Sequence, residues 1–138
     1  MGALNGHPNF EVLMKSVLVV DDSATMRRMV VASLRSLPET QYQDASSGLE
    51  AIEKLAVGPT DLIILDLNMP DMHGLEVVAF VRKHATFKDI PIIVLTTRGD
   101  DESRAAALAA GATQYMTKPY TPDELAASAR RLLFGHAH

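Results

Sequence analysis

The run Asp61-Leu62-Ile63-Ile64-Leu65-Asp66-Leu67-Asn68-Met69-Pro70 decides how the chain is read. Leu62 to Leu65 are apolar without interruption, and turn-forming residues flank them. A short unbroken apolar run predicts a strand covered on both faces, as in a parallel sheet. Asp66 stands at its C-terminal end, and in open α/β sheets the reactive crevice lies outside the carboxyl ends of the strands. Alone, Asp66 reads equally well as the start of a polar turn before Pro70. The rest of the chain decides between the two.

Upstream lies a second apolar run, Ser16-Val17-Leu18-Val19-Val20, ended by Asp21-Asp22. Ser23 follows as a helix N-cap. Met26, Met29, Val30, Leu34 and Leu37 then recur at helical spacing, and Pro38 stops the helix. A more polar strand over Tyr42 to Ala45 fits a sheet edge. Ser46-Ser47-Gly48 leads into a helix carrying Leu49, Ile52, Leu55 and Ala56, which Gly58-Pro59 breaks.

Downstream of Gly74, residues Leu75, Val78 and Val81, with Phe80, read as a third helix. Pro91 opens a fourth strand, Ile92 to Thr96, and Ala105 to Ala110 predicts a helix with Gly111 at its C′ position. Gln114 to Thr117 is a fifth strand, followed by Lys118-Pro119. Pro122 after Thr121 opens a last helix that buries Leu125, Ala129, Leu132 and Leu133. The chain therefore reads as βα repeated fivefold, an α/β protein with a doubly wound parallel sheet between helical layers.

Composition narrows the function classes. The 138 residues suit one domain, and 47% hydrophobic with 22% charged residues is ordinary for a soluble protein. The net charge is −4 and no basic run occurs, so no nucleic-acid partner is expected. No cysteine is present, which rules out thiol chemistry and is compatible with a cytoplasmic location. Residues 1–14 read as a loose leader, an expression scar or a natural extension, with Met14 a candidate start and Phe10 and Val12 able to open a short helix. Gly6 stands where a myristoylation signal needs Ser or Thr. Nothing approaches the roughly 20 apolar residues that span a bilayer, so no membrane insertion is expected. The domain is placed at 15–135, with a tail at 136–138.

In such a sheet the first, third, fourth and fifth strands end on one edge and present Asp21, Asp22, Asp66, Thr96 and Lys118. Carboxylates about 5 Å apart repel by roughly 3 kcal/mol per pair at an effective dielectric of about 20. Hard oxygen ligands of this kind suit Mg²⁺, which keeps several waters beside one or two carboxylates and phosphate oxygens. Lys118 supplies a further positive charge, and Thr96 a hydroxyl able to bond a transferred oxygen. Each residue also has a plain reading: a helix cap for Asp21 or Asp22, an ordinary β-branched strand residue for Thr96, a solvated surface lysine for Lys118. Their joint occurrence after successive apolar strands favours a site.

These pieces together resemble a known family. Val20-Asp21-Asp22-Ser23, Leu65-Asp66-Leu67-Asn68-Met69-Pro70 with Gly74, Leu95-Thr96, Gly111-Ala112 and Lys118-Pro119 are similar to the response-regulator receiver domain of two-component signalling, of the stand-alone CheY type, from about Lys15 to Phe134. The resemblance implies a flavodoxin-like fold with strand order 2-1-3-4-5. It implies Asp66 as phosphoryl acceptor, with Asp22, Asp66 and the Asn68 backbone carbonyl ligating Mg²⁺ and Asp21 acting mainly through water. Lys118 would contact the phosphoryl group, Thr96 would shift to bond it, and Tyr115 would turn inward as the coupled aromatic. The Lys118-Pro119 bond is expected to be cis.

The same resemblance implies a phosphoacceptor signalling protein that catalyses only its own phosphorylation and dephosphorylation. A sensor histidine kinase would be the donor, and phosphorylation would bias two packings of the fourth and fifth βα segments. The protein would be a monomer before phosphorylation and would bind a downstream protein effector, of a motor or motility kind, after it. A phosphorelay carrier or phosphate sink, passing the group to a histidine of another protein, is the alternative. Thr97 stands where the family often has a small residue such as Ala, and Arg98 lies next, at the rim of the expected pocket; one of them is expected to tune the lifetime of the phosphorylated state. A haloacid-dehalogenase-like phosphatase would need a second Asp where Ser23 stands, and a flavodoxin a Ser/Thr/Gly-rich loop where Asp21-Asp22 stand.

Overall fold

The computed structural model describes residues 14–69 and 71–135. Of the expected leader only Met14 falls within them; the short helix near Phe10 and Val12, Pro70 and the tail at 136–138 lie outside. The elements alternate throughout: β1 (Lys15–Val20), α1 (Ala24–Ser33), β2 (Thr40–Ala45), α2 (Gly48–Val57), β3 (Leu62–Leu65), α3 (Gly74–Lys83), β4 (Ile92–Thr96), α4 (Asp101–Ala110), β5 (Gln114–Thr117) and α5 (Pro122–Phe134). The strands pair in parallel as one sheet in the order β2-β1-β3-β4-β5. This is the flavodoxin-like order that the family resemblance implied. No described helix is long and apolar enough to cross a membrane.

Strand alternation feeds two cores. Leu18, Val20, Ile63, Leu65, Ile92 and Val94 point to the side covered by α2, α3 and α4, where Ala51, Leu55, Val77, Val78, Val81 and Ala107 meet them. Val17, Val19, Leu62, Ile64, Ile93 and Leu95 point to the other, against Val30 of α1 and Leu125, Ala129 and Leu133 of α5. Fully burying a side chain of this size contributes about 1.5–3 kcal/mol, so β1, β3 and β4, buried on both faces, dominate the fold. β2 takes the more solvated edge, as its polar sequence requires.

β3, β4 and β5 fall where their apolar runs place them, and three details of the helices differ. α1 ends at Ser33, short of Pro38: the Leu34 amide bonds back to the Ala32 and Val31 carbonyls and closes the last turn. Met29 and Leu49 are 50% and 56% exposed, not core. Each sits about 100° round the helix from its buried neighbour, Val30 and Gly48 respectively. α4 begins at Asp101, earlier than its alanine run, because the Asp100 side chain caps the Ser103 amide. Gly111 closes α4 with a φ of 121°, a conformation that favours glycine. The Lys118–Pro119 bond is cis.

Candidate functional site

Strand register assembles the site. Val20 and Leu65 are paired on adjacent strands, and the ladder continues one step further, with Asp66 N–H donating to the Val20 carbonyl at 3.0 Å. Asp21 and Asp66 thus leave the sheet side by side. On the far side Thr96 pairs with Thr117, and the Lys118 amide bonds the Thr96 carbonyl at 2.8 Å. Every acid or base of the site is therefore the first or second residue past a strand, or its last.

Asp21, Asp22 and Asp66 each offer a carboxylate oxygen within 4.8 Å of the others. Asp21 and Asp66 are buried, and Asp22 is exposed to solvent. The Lys118 ammonium reaches into the cluster, 2.9 Å from Asp21 and 3.8 Å from Asp66. Burial pushes the Asp66 carboxyl above its ordinary value; Asp21 adds to this, while Lys118, the Asn68 backbone and the Thr96 hydroxyl oppose it. Thr96 is fully buried at the end of β4. A single lysine against three acids leaves the cluster net negative. A donor set of clustered hard oxygens, with one exposed carboxylate, fits a divalent cation.

The plain reading of Asp21 or Asp22 as the helix cap does not hold, because Ser23 is the N-cap of α1 and Asp21 braces the loop just before it. Asp21 Oδ1 accepts the Ser23 amide at 2.9 Å, while Ser23 itself caps α1 by accepting from Met26. Asp21 thus shapes the loop with one oxygen and meets Lys118 with the other. Ser23, where a haloacid dehalogenase carries its second acid, serves as a cap.

Tyr115 is buried at the start of β5, and its hydroxyl donates to the Arg98 carbonyl. The Arg98 amide in turn approaches the Thr96 hydroxyl at 3.4 Å, so one residue spans Thr96 and Tyr115. Arg104 lies over the Tyr115 ring, 5.6 Å from its centroid. Thr97 is exposed, and the half-exposed Arg98 side chain stands 3.9 Å from Asp100.

Two supporting residues escape a reading of the sequence. Arg27 donates to the Asp21 carbonyl at 2.6 Å and to Asp44 at 2.8 Å, which ties the acidic loop to β2. Its position one turn into α1 is the only local signal. Asp71 accepts from the Gly48 and Leu49 amides of α2, a tertiary bond for which local sequence carries no signal.

Fold and site together define a receiver domain. The chain belongs to the response regulator receiver domain family, whose model matches residues 17–130. It is 46% identical over 110 residues to chemotaxis protein CheY1 of Helicobacter pylori, covering 79% of this chain and 89% of that protein. A chemotaxis protein CheY homolog of Campylobacter jejuni is 42% identical over 110 residues, covering 79% and 85%. Among solved structures, chemotaxis response regulator CheY4 of Vibrio cholerae superposes with a TM-score of 0.79 at 38% identity, over 87% of this chain and 99% of that one. The chain is thus a CheY-like signalling domain rather than a turnover enzyme.

Proposed function

We propose that the chain accepts a phosphoryl group on Asp66 from a histidine kinase and carries the signal to a motility protein. The observation that bears most weight is the Asp66 carboxylate, 7% exposed at the end of β3, with Lys118 3.8 Å away and two further acids beside it. In this reading an Asp66 oxygen attacks the phosphorus of a phosphohistidine donor, the P–N bond breaks, and the electron pair leaves with the imidazole. Bound Mg²⁺, held by Asp22, Asp66 and the Asn68 backbone carbonyl, with Asp21 acting mainly through water, would supply positive charge beside the transferring oxygens. Lys118 moves its ammonium from Asp21 toward the phosphoryl group, and Thr96 donates its hydroxyl to it.

Arg98 gives the switch a mechanical route. Its backbone touches the Thr96 hydroxyl on one side and the Tyr115 hydroxyl on the other, so a shift of Thr96 toward the phosphoryl group alters what holds Tyr115. The surface of α4, β5 and α5 then presents the signal. The two chemotaxis relatives support a motility effector over a phosphorelay carrier or sink.

Intact-protein mass after incubation with acetyl phosphate and Mg²⁺ tests the reading. A labile gain of one phosphoryl group, dependent on Mg²⁺ and absent in Asp66→Asn, is the expected result. No gain in the wild type would overturn it. Thr97 and Arg98 are proposed to tune the lifetime of that state; equal dephosphorylation rates in Thr97→Ala, Arg98→Ala and wild type would remove that role.

A further inference from the structure

Asp71 lies on the loop between β3 and α3, outside the acidic cluster itself. Its two carboxylate oxygens accept from the first amides of α2, Gly48 at 3.2 Å and Leu49 at 3.1 Å. Those amides have no partner within their own helix, and the local cap Ser47 serves only Glu50. An acid more than twenty residues away therefore completes the N-terminus of α2 and meets its positive dipole end. The Leu49 amide, ahead of Gly48, draws the Asp71 carboxyl below its ordinary range.

The loop rests directly on the helix it caps. A Cβ on Gly48 would stand 2.7 Å from Met72 Cβ, so the backbone of α2 and the loop are in contact there. The loop's two ends are pinned to each other, the Gly74 amide donating to the Leu67 carbonyl at 2.9 Å. A Cβ on Gly74 would stand 2.8 Å from the Asp66 carbonyl oxygen, so this junction abuts the acceptor residue itself. Asn68 lies between the pins, and its nearby backbone helps to oppose the upward push of burial on the Asp66 carboxyl.

We infer that Asp71 is a positioning residue for the phosphoryl site: by clamping the β3–α3 loop to the first turn of α2, it holds the Asn68 backbone at the geometry that a divalent cation needs. The inference rests on the receiver reading above. Residues that orient a metal ligand without touching the metal commonly change affinity by about tenfold or more. Linkage makes the effect reciprocal, so cation binding also tightens the clamp on α2.

The test compares Mg²⁺ affinity by calorimetry, and phosphorylation by acetyl phosphate across a Mg²⁺ titration, in wild type, Asp71→Ala and Asp71→Asn. Asp71→Ala is expected to weaken Mg²⁺ binding about tenfold. It should slow phosphorylation at limiting Mg²⁺ and recover the wild-type rate at saturating Mg²⁺. Asp71→Asn, which keeps one acceptor oxygen, should fall between, and Mg²⁺ should slow amide exchange at Gly48 and Leu49 in the wild type. A Mg²⁺ affinity within twofold of wild type in Asp71→Ala, whatever its melting temperature, would reduce Asp71 to a cap of α2. Should Asp71→Ala not fold, an unchanged affinity in Asp71→Asn would reduce it in the same way. A wild type that binds Mg²⁺ but gains no phosphoryl group counts against the proposed function, while the affinity comparison still reports on Asp71.

Discussion

Lys118 holds Asp21 more closely than Asp66: its ammonium is 2.9 Å from the first acid and 3.8 Å from the second. Both partners of the closer pair are largely buried, with side chains 13% and 7% exposed. Removing one member of a buried pair leaves an uncompensated charge, at about 3 kcal/mol or more. Lys118→Met, which keeps the apolar stem, is therefore expected to lose about 3 kcal/mol in urea unfolding without metal. Mg²⁺ should restore part of the loss, since it neutralises the same acids. A variant as stable as wild type in the absence of metal would mean that Asp22, open to water, lets the cluster disperse its charge.

Asp66→Asn should have the opposite sign. Burial first, then Asp21, raises the folded-state carboxyl above its ordinary value of 3.8, so ionised Asp66 is a cost to the folded state. That cost is fully present once the pH is well above the folded value. It is relieved as pH falls through the folded value, where the native state takes up its proton before the unfolded chain does. Asp66→Asn is thus expected to melt about 4 °C higher than wild type at pH 7 without metal, roughly 1 kcal/mol for a domain of this size. The gap should close as the pH approaches 4. Thermal melts from pH 4 to 7 check both the sign and the window.

The central strands were legible because nothing competes with their reading. Leu62 to Leu65 and Ile92 to Thr96 are buried on both faces, and an acid or a Pro bounds each run. Asp21, Asp66, Thr96 and Lys118 were legible for the same reason, since parallel register alone carries strand ends to one edge. Helix faces were harder to place. A mixed helix such as α1 offers Met29 and Val30 side by side, and only the fold decides which faces the sheet. The start of α4 was hidden because residues 101–104 are polar and carry no apolar period. The Asp71 clamp had no sequence signal at all, because it joins residues far apart in the chain.

Tyr115→Phe isolates the hydroxyl that holds the loop after β4. The ring remains buried, and only the bond to the Arg98 carbonyl is lost. Arg98 is exposed, so water can satisfy the freed carbonyl, and the expected cost is about 1 kcal/mol. The sharper readout is local. Backbone amides of residues 97–100 should exchange faster in Tyr115→Phe, while those of β3 keep their protection. Unchanged exchange at 97–100 would show that the loop is held by the Asp100 cap of α4 instead.

Gly74→Ala should be the most damaging single methyl addition near the site. The added Cβ would lie 2.6 Å from Leu67 Cα and 2.8 Å from the Asp66 carbonyl oxygen, both backbone atoms that cannot swing away. Relief requires either α3 to withdraw or the loop to move, and the loop movement displaces Asp66 and Asn68 together. Overpacking of this kind costs about 1–3 kcal/mol. The contrast is Gly58→Ala, where a Cβ meets nothing within 4 Å. Gly58→Ala should leave stability and Mg²⁺ affinity unchanged, whereas Gly74→Ala should lower both. If Gly74→Ala lost stability but kept full Mg²⁺ affinity, α3 would be the element that yields, and the acidic edge would be more rigid than the helix beside it.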